Sequence, residues 1–74
     1  MDILCEKRIG NNIRKIRESQ SMTQETLSAK LQVRGCDITR SAVAKIEVGQ
    51  RHLYVDELIH IKEIFRVSFD EILK

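Results

Sequence analysis

Apolar residues recur along this chain at helical intervals. Ile9, Ile13 and Ile16 stand at i, i+4 and i+7, with Arg14, Lys15 and Arg17 between or beside them. That spacing puts the isoleucines on one stripe of a helix and leaves the cations off it. A first helix is expected to begin between residues 2 and 6 and to end near Ser19, where "ESQSM" breaks the pattern. Thr23 then offers a side-chain oxygen to a second helix, with Glu25 in its first turn. Leu27 and Leu31 form its stripe, and it is predicted over Thr23–Gln32. "VRGCDI" reads as a mobile connection, rich in charge and containing Gly35. Thr39 is the N-cap of a third helix over Arg40–Val48, with Ile38 before it as an apolar staple. Val43 and Ile46 face inward, and Gly49 stands where the helix would stop in the left-handed conformation. A fourth helix, Val55–Phe65, buries Leu58, Ile61 and Phe65. Ser68 caps a short fifth one, with Phe69, Ile72 and Leu73 expected inside. The pattern predicts an all-α fold of five short helices, residues 1–74 forming one domain.

Composition supports this. The chain has 74 residues, no Pro, three Gly and few aromatics. A domain this small buries only about 60% of its unfolded surface, so short connections and an aliphatic core are required. No apolar run approaches the ~18 residues of a membrane span, and the start "MDILCEKRIG" is no signal peptide. Net charge is +2, which by itself identifies no partner. Its distribution says more: residues 34–52 carry four Lys/Arg against two Asp/Glu, while residues 53–74 carry three against five. One face suited to an anion and an acidic C-terminal third would produce that asymmetry, as would ordinary scatter.

Cys5 and Cys36 could pair, but two cysteines make no disulfide framework, and free thiols in a reducing compartment are expected. Zinc held by Cys5, Cys36, His52 and His60 is disfavoured, because no two of them have finger-like spacing. No metal, cofactor or small-molecule ligand is expected. No acid–base pair, nucleophile arrangement or phosphate loop suggests an enzyme.

The third helix carries the candidate chemistry. With Val43 and Ile46 inward, Arg40, Ser41, Ala44 and Lys45 face out. Small side chains at 41 and 44 let a backbone approach a groove, and Arg40 and Lys45 can reach guanine edges or phosphates. Taken alone, the same residues describe a solvated helix face.

The order of the segments favours the first reading. "IGNNIRKIRESQSMTQETLSAKLQV", "TRSAVAKIEVGQR" and "VDELIHIKEIFRVSFDEIL" together resemble the Xre/Cro, or lambda-repressor-like, helix-turn-helix family, from Ile9 to Leu73. The resemblance implies a DNA-binding transcriptional regulator of prokaryotic or phage type, cytoplasmic and nucleoid-associated. It implies that Gln24 abuts the DNA backbone and that Ser28 lies where the second and third helices cross. Thr39, Arg40, Ser41, Ala44 and Lys45 correspond to positions that meet bases or phosphates, and Arg17 and Glu47 to a structural ion pair. The chain departs from the family pattern in three places. Gln32 replaces the usual turn glycine, "RGCDI" lengthens the turn into a loop, and Val48 replaces a phosphate-facing Asn, so that contact is either lost or made by Gln50 or Arg51.

The expected partner is double-stranded DNA, bound as a homodimer on an inverted repeat, with repression the expected outcome. Two rivals share the fold. An antitoxin-like protein-binding role would need a further segment, and none is expected after Lys74. An adaptor without DNA binding conflicts with the cations at 40, 45 and 51, and would leave heparin at low salt. His52 and His60 are expected at the surface, His52 near the DNA backbone if Arg51 reaches it, and Arg34 is either solvated or on phosphate.

Overall fold

A computed structural model of the chain describes residues 2–74. It contains α1 (Ile3–Ser19), α2 (Gln24–Val33), α3 (Arg40–Glu47), α4 (Val55–Phe65) and α5 (Phe69–Leu73), with no strand among the described residues. α1 packs on α3 and α5, and α2 packs on α3 and α4. The core between them is aliphatic, built from Ile9, Ile13, Leu27, Leu31, Val43, Ile46, Ile61 and Ile72 with Phe65.

The helix starts follow from capping side chains. Asp2, Thr23, Thr39 and Ser68 each accept a hydrogen bond from the backbone N–H three residues on. This satisfies donors that no intrahelical carbonyl can reach. At α4 the roles reverse, and Glu57 reaches back to accept from the Tyr54 N–H at 3.0 Å.

The helix ends use a left-handed residue. Gly35 at φ +81° and Gly49 at φ +77° turn the chain out of α2 and α3. The next N–H in each case returns to the last turn, Cys36 to the Leu31 carbonyl and Gln50 to the Lys45 carbonyl. α1 closes in the same way, Met22 N–H to the Arg17 carbonyl, but Ser21 occupies the left-handed position at φ 56°. That explains how "ESQSM" ends a helix without Gly or Pro.

Two expectations are corrected. The 34–38 segment is anchored, not loose: Cys36 and Ile38 are buried in the core. The turn at Gly35 folds Cys36 back over Leu31, an apolar contact that accompanies this kind of helix end. Arg34 lies against α4, bonded to His60 Nδ1 and paired with Glu63. In α5 only Ile72 is buried; Phe69 and Leu73 remain 40% and 38% exposed. α5 packs chiefly on α1, and of its stripe only Ile72 is covered on all sides. Phe69 lies instead beneath the Lys62 ammonium, 5.3 Å from its ring centroid.

Side chains from α1 and its C-cap secure the far end of the fold. Asn12 Nδ2 donates to the carbonyls of Ile72 and Lys74, and Gln20 Nε2 donates to that of Phe65. These bonds satisfy C-terminal carbonyls of α5 and α4 that have no intrahelical partner.

Candidate nucleic-acid interface

α3 presents its chemistry according to its rotation. Val43, Ile46 and Glu47 are buried, while Arg40, Ser41 and Lys45 are exposed and Ala44 is half-buried. Val48, following directly, is 52% exposed. Residues 41, 44, 45 and 48 thus form an outward strip at i, i+3, i+4 and i+7, with small or basic residues at its first three positions. Thr39 Oγ1 accepts from the Ala42 N–H at 3.1 Å, so this hydroxyl starts the helix while its own hydrogen stays available.

One cleft joins Arg40 to the start of α2: Arg17, Thr23, Gln24, Glu25 and Arg40 line it. The helix–loop–helix packing therefore brings Gln24 and Arg40 together, 16 positions apart in the chain. Ser28 closes the contact behind them, its buried Oγ donating to the Ile38 carbonyl at 2.6 Å. Gln32, in place of the turn glycine, donates to the same carbonyl at 3.3 Å and to Ser28 Oγ at 3.2 Å. The lengthened turn is thus tied to α2 by side-chain hydrogen bonds.

Beneath the cleft lies the ion pair. Arg17 Nε donates to Glu47 Oε2 at 2.7 Å and Arg17 Nη2 to Glu47 Oε1 at 3.1 Å. Both residues are buried. Arg17 Nη1 also donates to the Met22 carbonyl, and Gln24 Nε2 to Glu47 Oε1 at 3.0 Å. The Glu47 hydrogen bonds raise the Arg17 guanidinium above its ordinary range, against the opposing push of burial. Arg17 stays charged, and the pair pins the end of α3 to α1 and steers the Gln24 amide.

α1 crosses α3 without a side chain at Gly10. A Cβ there would overlap the Ile46 carbonyl oxygen and stand 2.9 Å from that of Glu47. Sequence reasoning passed over Gly10. Its only sequence signal is a glycine between the helical apolar positions Ile9 and Ile13, which marks a packing reason when it stands inside a helix.

The link after α3 holds the remaining site residues. Gln50 is exposed. Arg51 is not a free cation: Nη1 and Nη2 donate to the two Glu57 oxygens at 2.9 and 3.0 Å, and Nη1 also to the His52 carbonyl. Arg51, expected as a phosphate contact, has a forked guanidinium that matches a carboxylate in α4. Burial pushes the Glu57 carboxyl up, but hydrogen bonds from Arg51 and the Tyr54 N–H, with the Arg51 charge, hold it below the usual carboxylate range. His52 is exposed and its Nδ1 lies 2.6 Å from Oε1 of the buried Glu6.

Cys5 and Cys36 are free thiols. Burial, then the nearby Glu57 charge, pushes the Cys36 thiol up, away from reactive thiolate. Among the described residues no three His, Cys, Asp or Glu side chains gather into a metal-ligating group. No helix there is long and apolar enough to cross a membrane.

Comparison with known proteins agrees with this geometry. The family profile described as helix-turn-helix matches residues 13–72. An uncharacterized HTH-type transcriptional regulator, YqaE of Bacillus subtilis (strain 168), is 36% identical over 65 residues, 88% of this chain and 52% of that protein. The chain thus spans about half the length of that relative. The crystal structure of the DNA-binding domain of BldD superposes with a TM-score of 0.83 at 26% identity, covering 100% of both chains. The match over most of the chain and the shared five-helix architecture place this protein in the lambda-repressor-like (Xre) helix-turn-helix family of DNA-binding transcriptional regulators.

Proposed function

We propose that this chain is a sequence-specific DNA-binding regulator, of repressor type, that sets α3 in the major groove of an inverted-repeat operator. The observation that carries the reading is the exposed face of α3, where Arg40, Ser41 and Lys45 stand clear of intramolecular ion pairs beside the start of α2. An α-helix such as α3 is about 10–12 Å across with its side chains, which fits a groove about 12 Å wide. Arg40 and Lys45 reach base edges or phosphates from the two ends of the helix. Ser41 and Ala44 let its backbone approach closely, and Thr39 offers its hydroxyl hydrogen. Gln24 and Gln50 hold the phosphates that flank α3, which sets register, while the α3 side chains read sequence. Arg51 serves by bracing the α3–α4 link through Glu57.

The functional unit in this reading is a symmetric dimer. One short helix gives few base contacts, and a single module would stand little above non-specific binding of ~10⁻⁴–10⁻⁶ M. Two copies on one duplex add affinity through effective concentration. Phe69 and Leu73, part-exposed beside the buried Ile72, support α5 as the surface of self-contact.

The test is selection of bound sequences from a random duplex pool, followed by Arg40→Ala on the selected site. A loss of about 1–3 kcal/mol there, with little loss on random duplex, is expected. Equal loss on both would assign Arg40 to phosphate, and no enrichment from the pool would remove sequence-specific binding altogether.

A further inference from the structure

We infer that Lys7, on α1, binds a DNA phosphate together with Gln50, in a cleft between the first turns of α1 and the link that follows α3. This rests on the reading that α3 meets DNA, and it adds a contact from an element outside the helix-turn-helix.

The cleft is lined by Ile3, Lys7, Val48, Gln50 and His52, around Gly49. Its floor depends on Gly49. A Cβ at that position would fall 2.5 Å from Lys7 Cγ and 3.1 Å from Lys7 Cα. The backbone of α1 therefore lies directly against the end of α3, and the Lys7 stem runs over the turn that exposes Gln50. Gly49 is buried by this contact, while Lys7 and Gln50 are exposed.

Two cations line the cleft, Lys7 and Arg51, beside the buried carboxylate of Glu6. Arg51 is taken by Glu57, and Glu6 is buried against His52 Nδ1. Among the described residues Lys7 has no acidic partner within 4.0 Å. The Lys7 ammonium is therefore the uncompensated cation beside Gln50, in the place where the sequence alone suggested Arg51. A lysine ammonium on a flexible stem suits a phosphate approached from the side, since it needs no fixed hydrogen-bond fork. Glu6 and His52 make the cleft's other wall and join α1 to the same link, so Lys7 and Gln50 keep their spacing.

The experiment measures binding to the selected duplex and to a random duplex over a series of salt concentrations. Lys7→Gln should lower the salt slope by about 0.9 on both duplexes, the loss of one phosphate contact, without changing which sequences are preferred. Lys7→Arg should restore the slope. Lys30→Gln, removing a cation in the separate cleft of Val33 and Arg66 between α2 and α4, should leave it unchanged. Thermal melting of Lys7→Gln checks that α1 still seats on Gly49. An unchanged slope in folded Lys7→Gln overturns the inference, as does an equal fall in Lys30→Gln, which would indicate only net charge. Arg40→Ala measured alongside separates the two readings. If it loses the selected site while Lys7→Gln keeps its slope, the α3 reading stands and the Lys7 contact fails. If the wild-type protein binds neither duplex, both fail.

Discussion

Glu47→Gln isolates the buried ion pair, because it removes one charge and almost no volume. In the wild-type fold Glu47 Oε1 and Oε2 accept from Arg17 Nη2 and Nε, and Oε1 also from Gln24 Nε2. Arg17 and Glu47 are 8% and 4% exposed. An amide at position 47 leaves the guanidinium charged, since Arg does not titrate in this range, and offers it one acceptor oxygen instead of two. Breaking a buried pair from one side costs on the order of 3–5 kcal/mol, against under ~1 kcal/mol for the exposed kind. A domain of this length has a total stability of roughly 4–11 kcal/mol, so the variant should lose from about a quarter of it to all of it. Urea and thermal melts at pH 7 read the difference, each 1 kcal/mol moving Tm by about 4–8 °C in a domain of this size. Arg17→Met combined with Glu47→Leu should recover part of the loss, because no charge is then stranded. A Glu47→Gln variant less than ~1 kcal/mol below wild type would refute the reasoning and mean that water reaches Arg17.

Gly10→Ala should destabilise by about 1–3 kcal/mol, because the added methyl meets the backbone carbonyls of Ile46 and Glu47 and α1 must move off α3; a wild-type melting temperature would contradict that crossing. Ser21→Gly should raise stability by roughly 0.5–1 kcal/mol in the same melts, by relieving a left-handed residue at φ 56°, and an equal-sized loss would show that the unfolded-chain entropy dominates. Glu57, held below the usual carboxylate range in the folded state, stabilises above its unfolded titration near pH ~4.3. That stabilisation is lost as pH falls through the folded value, so the acid limb of the stability–pH curve should flatten in Glu57→Gln.

Helix content was legible because each helix states its own boundaries. Thr23, Thr39 and Ser68 cap the helices expected of them, and Gly49 ends α3 in the left-handed conformation. The period of Ile9 and Ile13, of Leu27 and Leu31, and of Val43 and Ile46 marked core residues, since a stripe needs only local spacing to face one way. The same logic showed which side of α3 faces outward, and the order of the segments pointed to the family. What depended on neighbours distant in sequence was not legible. Cys36 sits in a charged, glycine-containing stretch, yet the turn at Gly35 folds it back over Leu31 and into the core. Phe69 and Leu73 have the period of a buried face, but the elements packed on α5 cover only Ile72 fully, and Lys62 lies over Phe69. The partner of Arg51 is supplied only when α4 brings Glu57 against it, and Lys7 comes beside Gln50 only because α1 packs on Gly49. Periodicity and capping are encoded within a few residues, so the chain alone determined where its helices lie and what they turn inward. Charge partners and close crossings depend on how those helices meet, so only the tertiary structure decided which cations are paired within the fold.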